Sequence, residues 1–292
     1  MPGIMLAALL LTQAATVAPG TEIRALTATV LDEDGQPVEG LGADDVALSE
    51  NGVVRDITSF KVDERPLTVA VLVDSSQSTR TEYRLNLVEA VAAFVARLPS
   101  ETRYSIWTTG DRPQKMLDYT DDPGEASAAL LRVAPNGGNY MLDALAEASK
   151  DLKKQAGEGD RTAVVAISGT GPELSYLDKW RSADVAEENA DLFLLLQVDL
   201  GGGGFEQRAN LSYVFDRLSQ ASGGEYSVIL SYMGADSGLR KLSPYLVAGY
   251  RLSYATLPGI KKRELEVDVA RPGTELKLPV RTDIQSELEP EL

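Results

Sequence analysis

Residues 67–79 read LTVAVLVDSSQST. Leu67 to Val73 is a continuous apolar and β-branched run that stops on Asp74. A strand with one wet face alternates apolar and polar residues. A run without alternation suits a strand buried on both faces, as in a parallel sheet covered by helices. Two more runs share this character, RTAVVAIS (161–168) and DLFLLLQV (191–198). RYSIWTT (103–109), QKMLDY (114–119) and EYSVIL (225–230) read as further strands. The first two of these flank Gly110-Asp111-Arg112-Pro113, a turn, and are expected to be antiparallel neighbours.

Between the strands the apolar spacing turns helical. LNLVEAVAAFVARL (85–98) is the clearest case, and further helices are expected near 124–133, 140–154, 179–189, 207–219 and 236–245. The order β-α-β-β-α-α-β-α-β-α-β-α predicts an α/β fold with a doubly wound, mostly parallel sheet and helices on both faces. Ligands in such sheets sit at the carboxyl ends of the strands. That rule points to the loops beginning at Asp74, Asn136, Ser168 and Asp199.

Both flanks are β in character. TEIRALTATVLDEDG (21–35) alternates and stops at Asp34-Gly35, Asn51-Gly52 is a second turn, and ITSFKV (57–62) alternates again. Residues 22–62 therefore read as four short strands. LVAGYRLSYATL, KKRELEVDVA and TELKLPVR return to alternation after residue 245, with Pro-Gly turns at 258–259 and 272–273. The expected organisation is a small all-β sandwich built from 21–63 and 246–285, with the α/β domain, 64–245, inserted between its strands. Residues 286–292, in the acidic run SELEPEL, read as a disordered tail.

Composition narrows the chemistry. The 292 residues are 43% apolar and carry a formal charge of −16, which disfavours nucleic acid and anionic membrane as partners. There is no Cys and no His. Disulfides, thiol nucleophiles, His-based triads and Cys- or His-ligated metals are excluded, so any metal must be held by oxygen. Ile4 to Leu11 is a short apolar run followed by small residues, the pattern of a secretory leader over 1–19, although no Lys or Arg precedes Arg24. An extracytoplasmic location, periplasmic or secreted, is the expectation. No later run is long enough to span a bilayer.

The loop after the first core strand places Asp74, Ser76 and Ser78 in a D-x-S-x-S pattern. One carboxylate and two hydroxyls make a hard-oxygen set suited to a divalent cation. The same residue types also cap helices and brace loops without a metal. VLVDSSQST resembles the first metal-binding motif of von Willebrand factor A domains, GGNYMLDAL (137–145) their second loop, and RTAVVAIS with Gly169 and Thr170 the strand that usually ends in Thr-Asp-Gly. The flanking segments VLDEDGQPVEGLGADDVALSENGVVRDITSF and YRLSYATL…KKRELEVDVARPG resemble those of bacterial VWFA-related exported proteins.

The resemblance implies a site for Mg²⁺ or Mn²⁺ in which an acidic residue of a partner protein completes the coordination. By position the metal ligands would be Asp74, Ser76, Ser78, Asn139 and Ser168. Two of the five depart from the family pattern. Asn139 stands where Thr is usual, and Ser168 stands where Asp is usual. The second change removes a negative charge and with it affinity for a dication. Asp143 and Glu173 are the nearest alternative carboxylates in sequence.

Two readings of the loop stay open: a weak cation site used to dock a partner, or a metal-free set of caps and loop hydrogen bonds. The expected function is an exported protein-binding module, not an enzyme. The alternative is a metal-independent structural or assembly protein of the cell envelope. A Mg²⁺-dependent hydrolase fits less well, because Ser76 occupies the position where an acid/base Asp would be needed. Three other features have bland readings. Trp107 is expected in the core, Gly201–Gly204 is a flexible loop, and Lys261–Arg263 is a solvated turn cluster. Trp180 is either a packed helix residue or an exposed contact aromatic.

Overall fold

The computed structural model describes residues 21–169, 171–201, 205–259 and 263–279. The leader and acidic tail read from the sequence lie outside these residues, as do 202–204 of the glycine run. In chain order the strands are β1 (Glu22–Asp32), β2 (Val46–Glu50), β3 (Val53–Arg55), β4 (Ile57–Val62), β5 (Leu67–Val73), β6 (Arg103–Thr108), β7 (Gln114–Thr120), β8 (Arg161–Gly169), β9 (Leu192–Val198), β10 (Glu225–Ile229), β11 (Gly249–Thr256), β12 (Leu265–Val269) and β13 (Thr274–Lys277). The helices are α1 (Arg80–Glu82), α2 (Val88–Val95), α3 (Gly124–Leu131), α4 (Met141–Gln155), α5 (Lys179–Glu187), α6 (Phe205–Ser222) and α7 (Ala235–Leu242).

The central sheet runs β10-β9-β8-β5-β6-β7. Every pairing is parallel except β6 with β7, which is antiparallel as the turn at 110–113 requires. Side chains of β5 alternate between two cores. Val69, Val71 and Val73 face α2, α3 and α7, whereas Ala70 and Leu72 face α4, α5 and α6. All seven β5 residues are buried, which is why the run shows no polar alternation. The expected α/β fold with a doubly wound, mostly parallel sheet is the observed one.

The first helical segment starts earlier than its apolar spacing suggested. It runs from Arg80 through a π-helical stretch, Tyr83–Leu87, into α2. Tyr83, Leu87, Val91 and Phe94 are each fully buried and form one stripe. Tyr83 reads as polar in a hydropathy scan, and this hid the first turn.

The flanking segments form two sheets, β13-β1-β11-β4 and β12-β2-β3. Each contains strands from both ends of the chain. Leu26, Ala28, Val30, Leu48, Phe60, Tyr250, Leu252 and Tyr254 fill the space between them as one core. Where the chain enters and leaves the α/β part, the buried Asp63 accepts from Arg65 Nη2 at 2.6 Å and lies 3.6 Å from Arg161 Nε. Arg161, at the start of β8, also donates to the carbonyls of Asp63 and Leu246. One guanidinium thus ties both crossings to the central sheet. Asp63 is held below the usual carboxylate range: burial pushes it up, but hydrogen bonds and charge from Arg65 and Arg161 outweigh that.

One expectation fails in the sandwich. Arg263 is not in a solvated cluster. It is 4% exposed and pairs with the fully buried Glu50 of β2. Trp107 is core, as expected, with its indole N–H on Ser105 Oγ at 3.1 Å.

Candidate functional site

The carboxyl end of β5 delivers Asp74 into the middle of the sheet's upper edge. Its own N–H continues the ladder to Ile167 O at 2.9 Å. The carboxylate is fully buried. One oxygen accepts from Ser76 N and the other from Gly169 N, both at 2.9 Å. Burial pushes the Asp74 carboxyl up, and the hydrogen bonds from Ser76 and Gly169 only partly oppose it. Among the described residues no guanidinium or ammonium contacts it.

The other four sequence-predicted residues converge on the same place. Ser76 and Ser78 hydroxyls lie 2.7 Å apart. Asn139 and Ser168 are both fully buried. The Asn139 amide nitrogen donates to Ser168 Oγ at 2.8 Å, and its amide oxygen accepts from Thr109 Oγ1 at 2.6 Å. The Ser168 hydroxyl donates to Gly169 O at 3.2 Å. The two residues that depart from the family pattern are therefore hydrogen-bonded to each other.

The two alternative carboxylates serve elsewhere. Asp143 accepts from Tyr176 N and Leu177 N, which braces the loop after β8. Glu173 accepts from Met141 N at 3.2 Å, at the start of α4, and from Ser175 N at 3.1 Å. Burial raises the Glu173 carboxyl to about 7, with the charge on Asp74 adding to the effect.

Sequence reasoning did not find the residues that close the site. A Cβ on Gly171 would lie 2.3 Å from Ser78 Oγ and 3.5 Å from Ser76 Oγ, so this loop sits directly on the serine pair. A Cβ on Gly169 would meet the Tyr232 hydroxyl at 2.0 Å and Asp74 Oδ2 at 3.3 Å. Gly138 leaves room for Leu174 in the same way, at 2.3 Å. Tyr83 is also sealed, and its hydroxyl has no hydrogen-bond partner among the described residues. Thr109 follows directly on the end of β6, so the strand-end rule marks its position; no pattern in the chain marks Tyr232.

A mostly parallel sheet with helices on both faces and a carboxylate–hydroxyl loop at its upper edge defines a Rossmann-like fold. Residues 69–172 match the family model described as von Willebrand factor type A domain. Over that stretch the α/β part of this chain is similar to von Willebrand factor A domains.

Solved structures agree on the fold. A von Willebrand factor type A protein from Catenulispora acidiphila superposes with a TM-score of 0.55 at 11% identity, covering 89% of this chain and 73% of that one. Proximal thread matrix protein 1 of the mussel byssus gives 0.51 at 14% identity, covering 72% of this chain and 50% of its own. The mussel protein with a zinc-occupied MIDAS motif gives 0.50 at 16% identity, covering 70% and 50%. This chain thus spans about half the length of the mussel protein. At such identities the likeness is one of fold. No curated protein matches the chain.

The donor set can be tested against a resident dication. A Mg²⁺ or Mn²⁺ site needs several oxygen lone pairs turned inward, and its affinity rises with the charge of its ligands. Here the amide and hydroxyl groups of Asn139, Ser168 and Thr109 are turned to each other. Asp74 already accepts from two backbone N–H groups, and the serine pair lies under Gly171. Among the described residues no three acidic side chains gather as a ligand set. As placed, these residues do not fit a resident dication.

Proposed function

We propose that this chain is a protein-binding module, exported from the cytoplasm and not catalytic, that engages its partner with the upper face of its von Willebrand factor A domain. One observation carries the reading. The loops at the carboxyl ends of β8, β9 and β10 expose Leu174, Tyr176, Leu200, Leu230 and Met233, with Tyr176 at 91%, Met233 at 83% and Leu230 at 80%. Large apolar side chains on strand-end loops, held by a rigid sheet, are what a protein interface uses. Tyr is among the residues that carry most of the energy in such contacts, and Met is enriched there.

Export is supported by the apolar run at 4–11 and the small residues that follow it. Among the described residues no helix is long and apolar enough to cross a membrane. The non-catalytic reading rests on Ser76 and Ser78, whose hydroxyls lie 2.7 Å apart, in a chain with no His to act as their base.

The test is affinity capture with the full chain, comparing wild type with Tyr176→Ala/Met233→Ala. Loss of a captured protein in the variant, at unchanged melting temperature, supports the reading. Equal capture by both proteins sinks the upper face as the interface.

A further inference from the structure

We propose that the Asn139–Ser168 hydrogen-bonded bridge takes the place of a cation, so that the upper face of this domain is assembled and held without metal. A dication at this position would cross-link three loops through their oxygens. Here the same three loops are cross-linked by protein groups alone. Asn139 reaches Thr109 at the end of β6 on one side and Ser168 at the end of β8 on the other. Asp74 joins the loop after β5 to the end of β8 by accepting from both Ser76 N and Gly169 N. Three further bonds knit the loops: Gly110 N to Ser75 Oγ at 2.9 Å, Asn136 N to Ser75 O at 3.0 Å and Gln77 N to Gly137 O at 3.0 Å.

The two residues that depart from the family pattern are already engaged with protein groups. The Ser168 hydroxyl has one hydrogen, given to Gly169 O, and it accepts from Asn139. The Asn139 amide spends its oxygen on Thr109 and one N–H on Ser168. Charge points the same way. Asp74 is the one acidic residue among the five positions, and the chain has no His or Cys to add a soft donor. Asparagine in place of threonine supplies an amide long enough to bridge. Serine in place of aspartate supplies a neutral group that can receive it. The two departures are the two ends of one buried hydrogen bond.

The inference does not depend on any partner, so its test is separate from the capture experiment. The full chain is melted in EDTA and then in millimolar Mg²⁺ or Mn²⁺. Wild type is expected to melt at the same temperature in all three. Ser168→Asp puts a second buried carboxylate beside Asp74. It should melt lower than wild type in EDTA and recover with metal, by about 5 °C or more at one hundred times Kd. Asn139→Ala breaks the bridge and should lower the melting temperature equally with and without metal.

A wild-type rise with metal that vanishes in Asp74→Ala overturns the proposal. So does a folded Ser168→Asp that melts alike in EDTA and metal, or an Asn139→Ala that melts like wild type. If Ser168→Asp fails to fold, calorimetric titration of wild type with Mn²⁺ decides, and measurable binding at the Asp74 site overturns the idea.

Discussion

Glu50 in the sandwich and Asp74 in the α/β domain are both completely buried, yet their surroundings differ in kind. Glu50 meets two guanidinium groups, Arg263 and Arg55, and accepts from Tyr254 and Thr256 as well. Burial pushes its carboxyl up, but the hydrogen bonds from Thr256 and Arg263 and the Arg263 charge win, and it is held below the usual range. Asp74 has two backbone N–H groups and the Ser76 hydroxyl but, among the described residues, no cation, so burial wins and its carboxyl is raised. The lesson is that burial does not set the direction of a carboxyl's shift by itself; the hydrogen bonds and fixed positive charge around it decide. Glu50 is a staple between β2, β3, β11 and the C-terminal segment. Asp74 is a buried carboxyl whose ionised form its surroundings disfavour.

The sharpest way to break this comparison is Glu50→Ala. It leaves the Arg263 guanidinium, 2% exposed at its side chain, buried without its carboxylate. Removing one partner of a buried pair costs about 3–5 kcal/mol, read as a fall in urea unfolding free energy. Glu50→Met combined with Arg263→Met should recover most of that loss, because no unpaired charge remains. A Glu50→Ala cost below about 1 kcal/mol, the scale of an exposed pair, would mean that the staple does not hold the two sheets.

A smaller effect sharpens the comparison in the backbone. A Cβ on Gly169 would press on both the Tyr232 hydroxyl and Asp74. Tyr232 is 3% exposed and has nowhere to go, so Gly169→Ala should cost about 1–3 kcal/mol by overpacking. In the sandwich, Gly42 has a φ of −122° and nothing within 4 Å of its Cβ position. Gly42→Ala should be neutral or slightly stabilising by thermal melt. Equal costs at the two sites would contradict the picture of a tight upper face and a looser sandwich loop.

These residues also show where the sequence was legible. β5, β8 and β9 were readable because burial on both faces removes alternation, and the loop at Asp74 followed from the strand-end rule. All five residues of the candidate site do converge. What the linear pattern did not carry is direction. Nothing in it says that Asn139 turns to Ser168 or that Gly171 lies on Ser78, since those contacts join loops far apart in the chain. Arg263 was misread for the same reason. A basic residue near a turn is normally solvated, and its partner Glu50 lies 213 positions away. Trp180 falls between its two readings: it is 53% exposed and packs edge-on against Tyr213 at 4.7 Å.

An effect of similar size is in pH. Glu173, raised from 4.5 to about 7 by burial and by Asp74, binds its proton more tightly in the folded chain than in the unfolded one. Below 4.5 both states are protonated and the group contributes nothing. As pH rises from 4.5 through 7 the unfolded chain ionises first, and stability falls; above 7 the full penalty is present. Glu50 has the opposite sign: its contribution is present above 4.5 and is lost as pH falls through its lowered folded value. Glu173→Gln should therefore flatten the decline of urea stability between pH 5 and 8, by about 1–3 kcal/mol across the window. It should leave the acid limb, where Glu50 acts, unchanged. Some decline will persist in the variant because Asp74 is raised in the same direction. A variant whose pH profile overlays wild type from 5 to 8 would show that Glu173 ionises freely in the folded chain. The upper face would then be wetter around α4 than its packing implies, and the contrast with the sealed staple at Glu50 would be confined to Asp74 alone.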